Sequence, residues 1–212
     1  MKKSEHKIFR LDKAFMDLGR ALLFPLLLVY RNKKTYVGSK DEIKNLGGFL
    51  VVANHTGYTD PMILETSFWT RRLHYVVAEV VMTNKFRNFF MKGAGCIRID
   101  RNITDTKAIK DCVAVLKEGF PIAIFPQGGI GDEDGKFKLG TALIANFAKA
   151  PMVPVYIKKR KNILARQEII IGRPLLCSDV CDKKMPSVQD LEEITEELYK
   201  RYEEAKEKSL GH

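Results

Sequence analysis

Residues 49–60 read Phe49-Leu50-Val51-Val52-Ala53-Asn54-His55-Thr56-Gly57-Tyr58-Thr59-Asp60. The first five are apolar with no polar alternation, which predicts a short strand buried on both faces. The strand ends at Asn54 and His55. After a turn-rich loop, Asp60 to Thr70 reads as a helix, with Pro61 at a tolerated first-turn position. A buried strand that runs out into a loop places His55 where a strand end meets solvent, a frequent site of binding and catalysis in α/β sheets.

Outward from this stretch the same alternation continues. Strands are predicted at 73–78, 96–99, 121–125, 153–157 and 168–171. Helices are predicted at 87–92, 104–117, 141–148 and 187–208, and a Gly-rich loop runs from Gln127 to Gly135. Short buried strands alternating with helices imply an α/β fold, a largely parallel or mixed sheet covered by helices. Residues 1–30 carry Ile8, Phe9, Leu11, Phe15, Met16, Leu18, Leu22 and Leu23 at helical spacings, with six Lys and Arg residues interleaved. That predicts an N-terminal amphipathic helical segment of one or two helices. It either lies in a headgroup region or covers the domain's own apolar face. The expected division is therefore 1–34, a membrane-associating segment, and 35–212, the main domain, closed by the amphipathic C-terminal helix.

The 212 residues suffice for one substantial core. Apolar residues make up 45% and charged residues 29%, which excludes a disordered chain, and 36 Lys and Arg against 26 Asp and Glu give +10. Such a surplus suits a polyanion, either nucleic acid or an anionic membrane. No recognisable nucleic-acid module accompanies it, so a nucleic-acid partner is not expected. The four cysteines form no paired framework; Cys177 and Cys181 have a metal-like spacing without nearby partners, so no metal site is expected. The apolar run Ala21 to Tyr30 covers about 15 Å as a helix, short of the roughly 30 Å hydrocarbon core, so no transmembrane span is expected.

His55 in its neutral form can accept a proton at cellular pH. Asp60, five residues on, can fold back to hold Nδ1–H and leave Nε2 as the base, like the His–Asp half of a hydrolase triad. Asp is also a favoured residue at helix starts, so a simple helix cap is the alternative.

The chain resembles the glycerolipid (lysophosphatidic acid) acyltransferase family. The motif N-H-x-x-x-x-D stands as Asn54 through Asp60, and a motif near G-x-I-x-I-D-R as Gly95 through Arg101. A motif near F-P-E-G-T-R stands in altered form as Phe125-Pro126-Gln127-Gly128-Gly129-Ile130. Phe137-Lys138-Leu139-Gly140, Val153-Pro154-Val155 and Ile171-Gly172-Arg173-Pro174 follow in family order, so the likeness covers about residues 35–176.

The resemblance implies direct acyl transfer in phospholipid biosynthesis with His55 and Asp60 as the catalytic pair and no covalent enzyme intermediate. An acyl thioester, acyl-CoA or acyl-carrier protein, is the donor, and the acceptor is the hydroxyl of a lysophosphatidate-like lipid. No separate cofactor is expected. Arg101 is carried over for the acceptor phosphate, where a guanidinium can grip two oxygens; a surface ion pair is the alternative. Gln127, Gly128, Gly129 and Lys138 complete the expected substrate contacts, with a backbone N–H such as that of Gly128 available to an oxyanion. The expected place of work is the cytoplasmic face of a membrane, bound peripherally.

The altered third motif loses a carboxylate at Gln127 and an arginine at Ile130, which opens the acceptor to another lysolipid or glycerol 3-phosphate. A catalytically weak membrane-binding protein on the same fold is the remaining alternative. Arg98 is expected to pair within its own strand with Asp100, and Trp69, Phe89 and Phe90 to serve packing. The basic run Lys158-Lys159-Arg160-Lys161 suits anionic headgroups, coenzyme A phosphates or plain solvation.

Overall fold

The computed structural model describes residues 14–29, 32–82, 84–100, 105–127, 137–160 and 166–210. Seven strands form one sheet: β1 (Lys33–Tyr36), β2 (Leu50–Ala53), β3 (His74–Ala78), β4 (Cys96–Ile99), β5 (Ile122–Ile124), β6 (Met152–Ile157) and β7 (Glu168–Ile171). Their order is β1-β7-β6-β2-β5-β3-β4. All neighbours run parallel except β6 and β7, which pair antiparallel through Val155–Ile171 and Ile157–Ile169. The sheet is thus mixed, and helices α1 (Ala14–Val29), α2 (Lys40–Lys44), α3 (Asp60–Ser67), α4 (Lys85–Gly93), α5 (Thr106–Lys117), α6 (Gly140–Ala148) and α7 (Val188–Leu210) connect or cover its strands.

The unbroken apolar run at 49–53 has the predicted cause. Leu50 and Val52 face a core built with Leu116, Ile144, Ile194 and Tyr202 of α5, α6 and α7. Phe49, Val51 and Ala53 face the opposite core with Ile63 and Leu64 of α3 and Phe68 just beyond it. A strand covered on both faces has no solvated side, so no polar alternation survives.

Two elements escaped the sequence reading. β1, Lys-Lys-Thr-Tyr, is an edge strand without an apolar run. Helix α2 has five residues, and its start does carry a capping box: Asp41 N–H donates to the Ser39 hydroxyl, and Ser39 N–H to Glu42.

Helix α1 is fastened to the domain by side chains. Met16 is buried where Gly95 turns the chain into β4 with φ of +77°, a conformation that favours glycine, and a Cβ there would lie 2.8 Å from the Met16 methyl. Arg72 grips Asp17 with two bonds of 2.8 and 2.9 Å. The Arg20 guanidinium lies 2.9 Å from Glu65, covers the Trp69 ring and donates to the Trp69 carbonyl. Just past the helix, Asn32 donates to the hydroxyls of Thr66 and Ser67 at the end of α3. Phe15, Leu18 and Leu22, spaced along one face of α1, remain exposed, at 37%, 60% and 73%. Phe15 meets Phe89 of α4 edge to face at 6.0 Å, and Phe89 is itself 67% exposed. Residues 1–13, which carry the first part of the predicted amphipathic segment, lie outside the described residues.

The end of β2 is clamped to the end of β6. Asn54, almost wholly buried, donates through Nδ2 to the Ile157 carbonyl at 3.0 Å and accepts from Ile157 N–H at 2.7 Å. Its amide thereby satisfies the last backbone groups of β6 at the edge where β2 lets go. Asn54→Ala leaves both groups buried and unpaired, and should lower stability by about 2–4 kcal/mol. Urea denaturation measures this, and a loss under roughly 0.5 kcal/mol would show that the clamp carries no weight.

Glu65 generates a pH dependence. Burial pushes its carboxyl up to about 7, against the opposing pull of Arg20 and the Tyr75 hydroxyl. The folded protein therefore keeps a proton that the unfolded chain, with an ordinary carboxyl near 4.5, releases. The stabilisation is complete below about 4.5 and is lost as pH rises through about 7. Glu65→Gln should flatten the stability–pH curve between those values, and an unchanged slope in the variant would refute the assignment.

Candidate active site

The loop from Asn54 to Thr59 leaves the C-terminal edge of β2 and returns at the first residue of α3. Its conformation is set by one carboxylate. Asp60 is completely buried, and its Oδ2 accepts from Thr56 N–H at 2.6 Å, from Gly57 N–H at 2.8 Å and from His55 Nδ1 at 2.8 Å. The Thr56 hydroxyl donates to Oδ1 at 2.9 Å. A buried carboxylate surrounded by donors is satisfied without a permanent countercharge.

These bonds separate the two readings of Asp60. A capping residue would accept from N–H groups inside its own helix, whereas Asp60 reaches backward into the preceding loop. Position Thr59, the residue before α3, makes no side-chain cap bond. The carboxylate organises the loop and the imidazole. It also sets the tautomer: Nδ1 carries the hydrogen, because the carboxylate beside it only accepts, and Nε2 is left basic.

A second strand contributes the floor. β5 lies beside β2, with Val52 opposite Ile124, so the residues leaving both strands meet at one edge. Phe125 stacks under the His55 ring, with centroids 4.2 Å apart and planes inclined by 18°. The His55 side chain is 18% exposed, so one part of the ring meets solvent while its face rests on Phe125 and its Nδ1 edge on Asp60. Tyr58, on the outer side of the same loop, is 90% exposed.

The remaining sequence-predicted residues are placed less closely. Gln127 is buried two residues beyond Phe125, at the same sheet edge. Lys138 is exposed just ahead of α6. Arg101, Gly128 and Gly129 lie outside the described residues. The flanks of Arg101 are fixed, however. The Asp105 carboxylate accepts from Ala108 N–H at 2.9 Å, capping α5, and from Asp100 N–H at 3.1 Å. These backbone bonds hold its carboxyl below the usual carboxylate range.

Arg98 corrects one expectation. It pairs at 2.9 Å with Glu79, just beyond the neighbouring strand β3, rather than with Asp100 on its own strand. Parallel pairing of Val77 with Arg98 brings the two side chains together across the ladder. All four cysteines are free thiols, Cys112 and Cys177 buried and Cys96 and Cys181 partly so, and no group of three or more metal-ligating side chains occurs among the described residues.

The sequence reading missed the contributions of Asn54, Thr56 and Phe125. Asn54 and Thr56 stood inside the quoted motif, but their partners are a strand about a hundred residues away and the carboxylate of Asp60. Phe125 stood in the third motif with no signal that its ring faces His55.

Comparison with known proteins gives the family. The sequence model of the family described as Acyltransferase matches residues 34–158. A 1-acyl-sn-glycerol-3-phosphate acyltransferase of Bacillus subtilis is 30% identical over 177 residues, covering 81% of this chain and 88% of the relative. One from Streptococcus pneumoniae is 28% identical over 181 residues, covering 82% of this chain and 67% of the relative. The crystal structure of the 1-acyl-sn-glycerophosphate acyltransferase PlsC from Thermotoga maritima shares the fold, with a TM-score of 0.64 over 94% of this chain and 83% of that one, at 17% identity. The match spans the strand, loop and helix that hold His55 and Asp60, and on these grounds the chain belongs to the glycerolipid acyltransferase family.

Proposed function

We propose that this acyltransferase moves a fatty acyl group from a thioester to the free hydroxyl of a lysophosphatidate-like glycerolipid at a membrane surface, in phospholipid biosynthesis. The observation that carries the proposal is the His55–Asp60 pair, held at 2.8 Å by a buried carboxylate that leaves Nε2 basic. Nε2 takes the proton of the acceptor hydroxyl as its oxygen attacks the thioester carbonyl. Asp60 steadies the imidazolium that forms, and the thiolate leaves with the proton. The backbone N–H groups of the Gly-rich loop after Gln127 suit the oxyanion, and Arg101 suits the acceptor phosphate. The names of the relatives support lysophosphatidate as the acceptor. Gln127 and Ile130 stand where the motif has Glu and Arg, which favours testing other lysolipids beside it. Coenzyme A and acyl-carrier protein thioesters are the two candidate donors, and neither requires a further cofactor.

The membrane side of the proposal rests on α1. Phe15, Leu18 and Leu22 form an exposed apolar row on a helix locked to the domain, in a chain of net charge +10. No helix among the described residues is long and apolar enough to cross a membrane. Peripheral attachment at the cytoplasmic face follows as the proposed location, with residues 1–34 as the attaching segment and residues 35–212 as the acyltransferase domain.

With purified protein, lysophosphatidate and acyl-CoA or acyl-carrier protein, release of the free thiol measures turnover. His55→Ala should reduce kcat by at least about 100-fold, and Asp60→Asn by at least about tenfold with the fold retained. A folded His55→Ala variant with the parent's rate would remove the mechanism.

Vesicle sedimentation tests the surface. Leu18→Glu with Leu22→Glu should abolish most binding to vesicles containing anionic lipid, and added salt should weaken binding of the parent. Undiminished binding of the double variant would assign the apolar row to another partner.

A further inference from the structure

We propose that Phe125 is a positioning residue whose ring face stabilises the imidazolium that His55 becomes during acyl transfer. The inference deepens the general-base reading of His55 and rests on it. The two rings lie nearly parallel with centroids 4.2 Å apart, so the imidazole rests on the negative face of the phenyl quadrupole.

The balance of the step shows when that contact matters. Before attack the imidazole is neutral, Nδ1–H points to Asp60, and the phenyl face sees no charge. As the acceptor O–H bond breaks, its proton passes to Nε2 while the new C–O bond forms. His55 is then a cation between two electron-rich surfaces, the Asp60 carboxylate at its edge and the Phe125 ring at its face. When the C–S bond breaks, the departing sulfur takes the proton from Nε2 and the ring is neutral again. An attraction present only while the charge exists lowers the barrier without tightening substrate binding. Asp60 acts in the ring plane and fixes rotation; Phe125 acts from the face and fixes tilt. The half-buried position of Phe125 at the end of β5 anchors it to the same core as Val51 and Ala53 beneath the loop.

Site-specific replacement of Phe125 with 4-fluoro- and 3,5-difluorophenylalanine separates charge stabilisation from packing, since shape is kept while the ring face loses its negative potential. The expected result is a stepwise fall in kcat with KM within about twofold, reaching roughly three- to tenfold with Phe125→Leu. Phe125→Tyr, which keeps an electron-rich face, should stay near the parent. NMR supplies a readout independent of turnover. The His55 Hε1 signal, assigned by its loss in His55→Ala, should be displaced upfield by the ring current in the parent and return downfield in Phe125→Leu. Parent-like kcat in both fluorinated proteins would overturn the proposal and leave Phe125 as packing. An undisplaced His55 signal in the parent would overturn it by showing that the stack does not exist. If the stack is present but His55→Ala turns over like the parent, the general-base reading fails and the proposal falls with it.

Discussion

A single carboxylate, enclosed by protein and held by donors from one short loop, governs this site. Among the described residues Asp60 meets no lysine or arginine; its charge is met by the Thr56 and Gly57 amides, the Thr56 hydroxyl and the His55 ring. Burying such a group without these partners would cost several kcal/mol, so the loop has little freedom to take another shape. The same bonds that satisfy Asp60 therefore orient the imidazole. Orientation and burial are one constraint here, and the beginning of α3 is built around it.

That loop is held at both ends. Asn54 ties its start to β6, so the chain leaves the sheet at a fixed height and direction. Its far end is the first turn of α3, which Tyr75 reaches from β3: the hydroxyl lies 2.8 Å from the Pro61 carbonyl and 3.2 Å from Glu65. Glu65 in turn meets Arg20 of α1. A continuous polar path thus runs from the helix with the exposed apolar row, through the buried side of α3, to the turn that carries Asp60. Burial drives the Tyr75 hydroxyl and the Glu65 carboxyl upward together; the Glu65 carboxylate adds to the rise at Tyr75, whereas the Tyr75 hydrogen bond pulls the Glu65 carboxyl back down. The position of α1 relative to the site is set by this network as well as by Met16 against Gly95.

Strand order explains why two separated motifs meet in one region. β2 and β5 are neighbours, so the first and third motifs leave the sheet side by side, and His55 lands on Phe125. β4, carrying the second motif, is two places further out at the sheet edge. Just past its end, Asp105 accepts from the Asp100 N–H. The Arg98–Glu79 pair ties that outer strand to its neighbour. Such exposed pairs contribute under about 1 kcal/mol, so its role is register.

The sequence by itself determined the α/β class and the six apolar strands, and it offered the pairing of His55 with Asp60 beside a simple helix cap. Each of these is local: burial on both faces removes polar alternation, and a spacing of five residues across a turn lets a carboxylate reach back to an imidazole. It also showed the exposed α1 row as part of an amphipathic pattern, without deciding which face would be covered. Only the tertiary structure decided that Asp60 organises the loop instead of capping α3, because donor direction is not encoded in residue spacing. Only it revealed the edge strand β1, whose Lys-Lys-Thr-Tyr stays in place through β7 and not through any pattern of its own. The contacts of Asn54 with Ile157 and of His55 with Phe125 were likewise invisible, since strand order brings together residues far apart in the chain, about a hundred positions in the first pair and about seventy in the second. Chemistry carried within one turn could be read from the chain; chemistry assembled across the sheet had to wait for the fold.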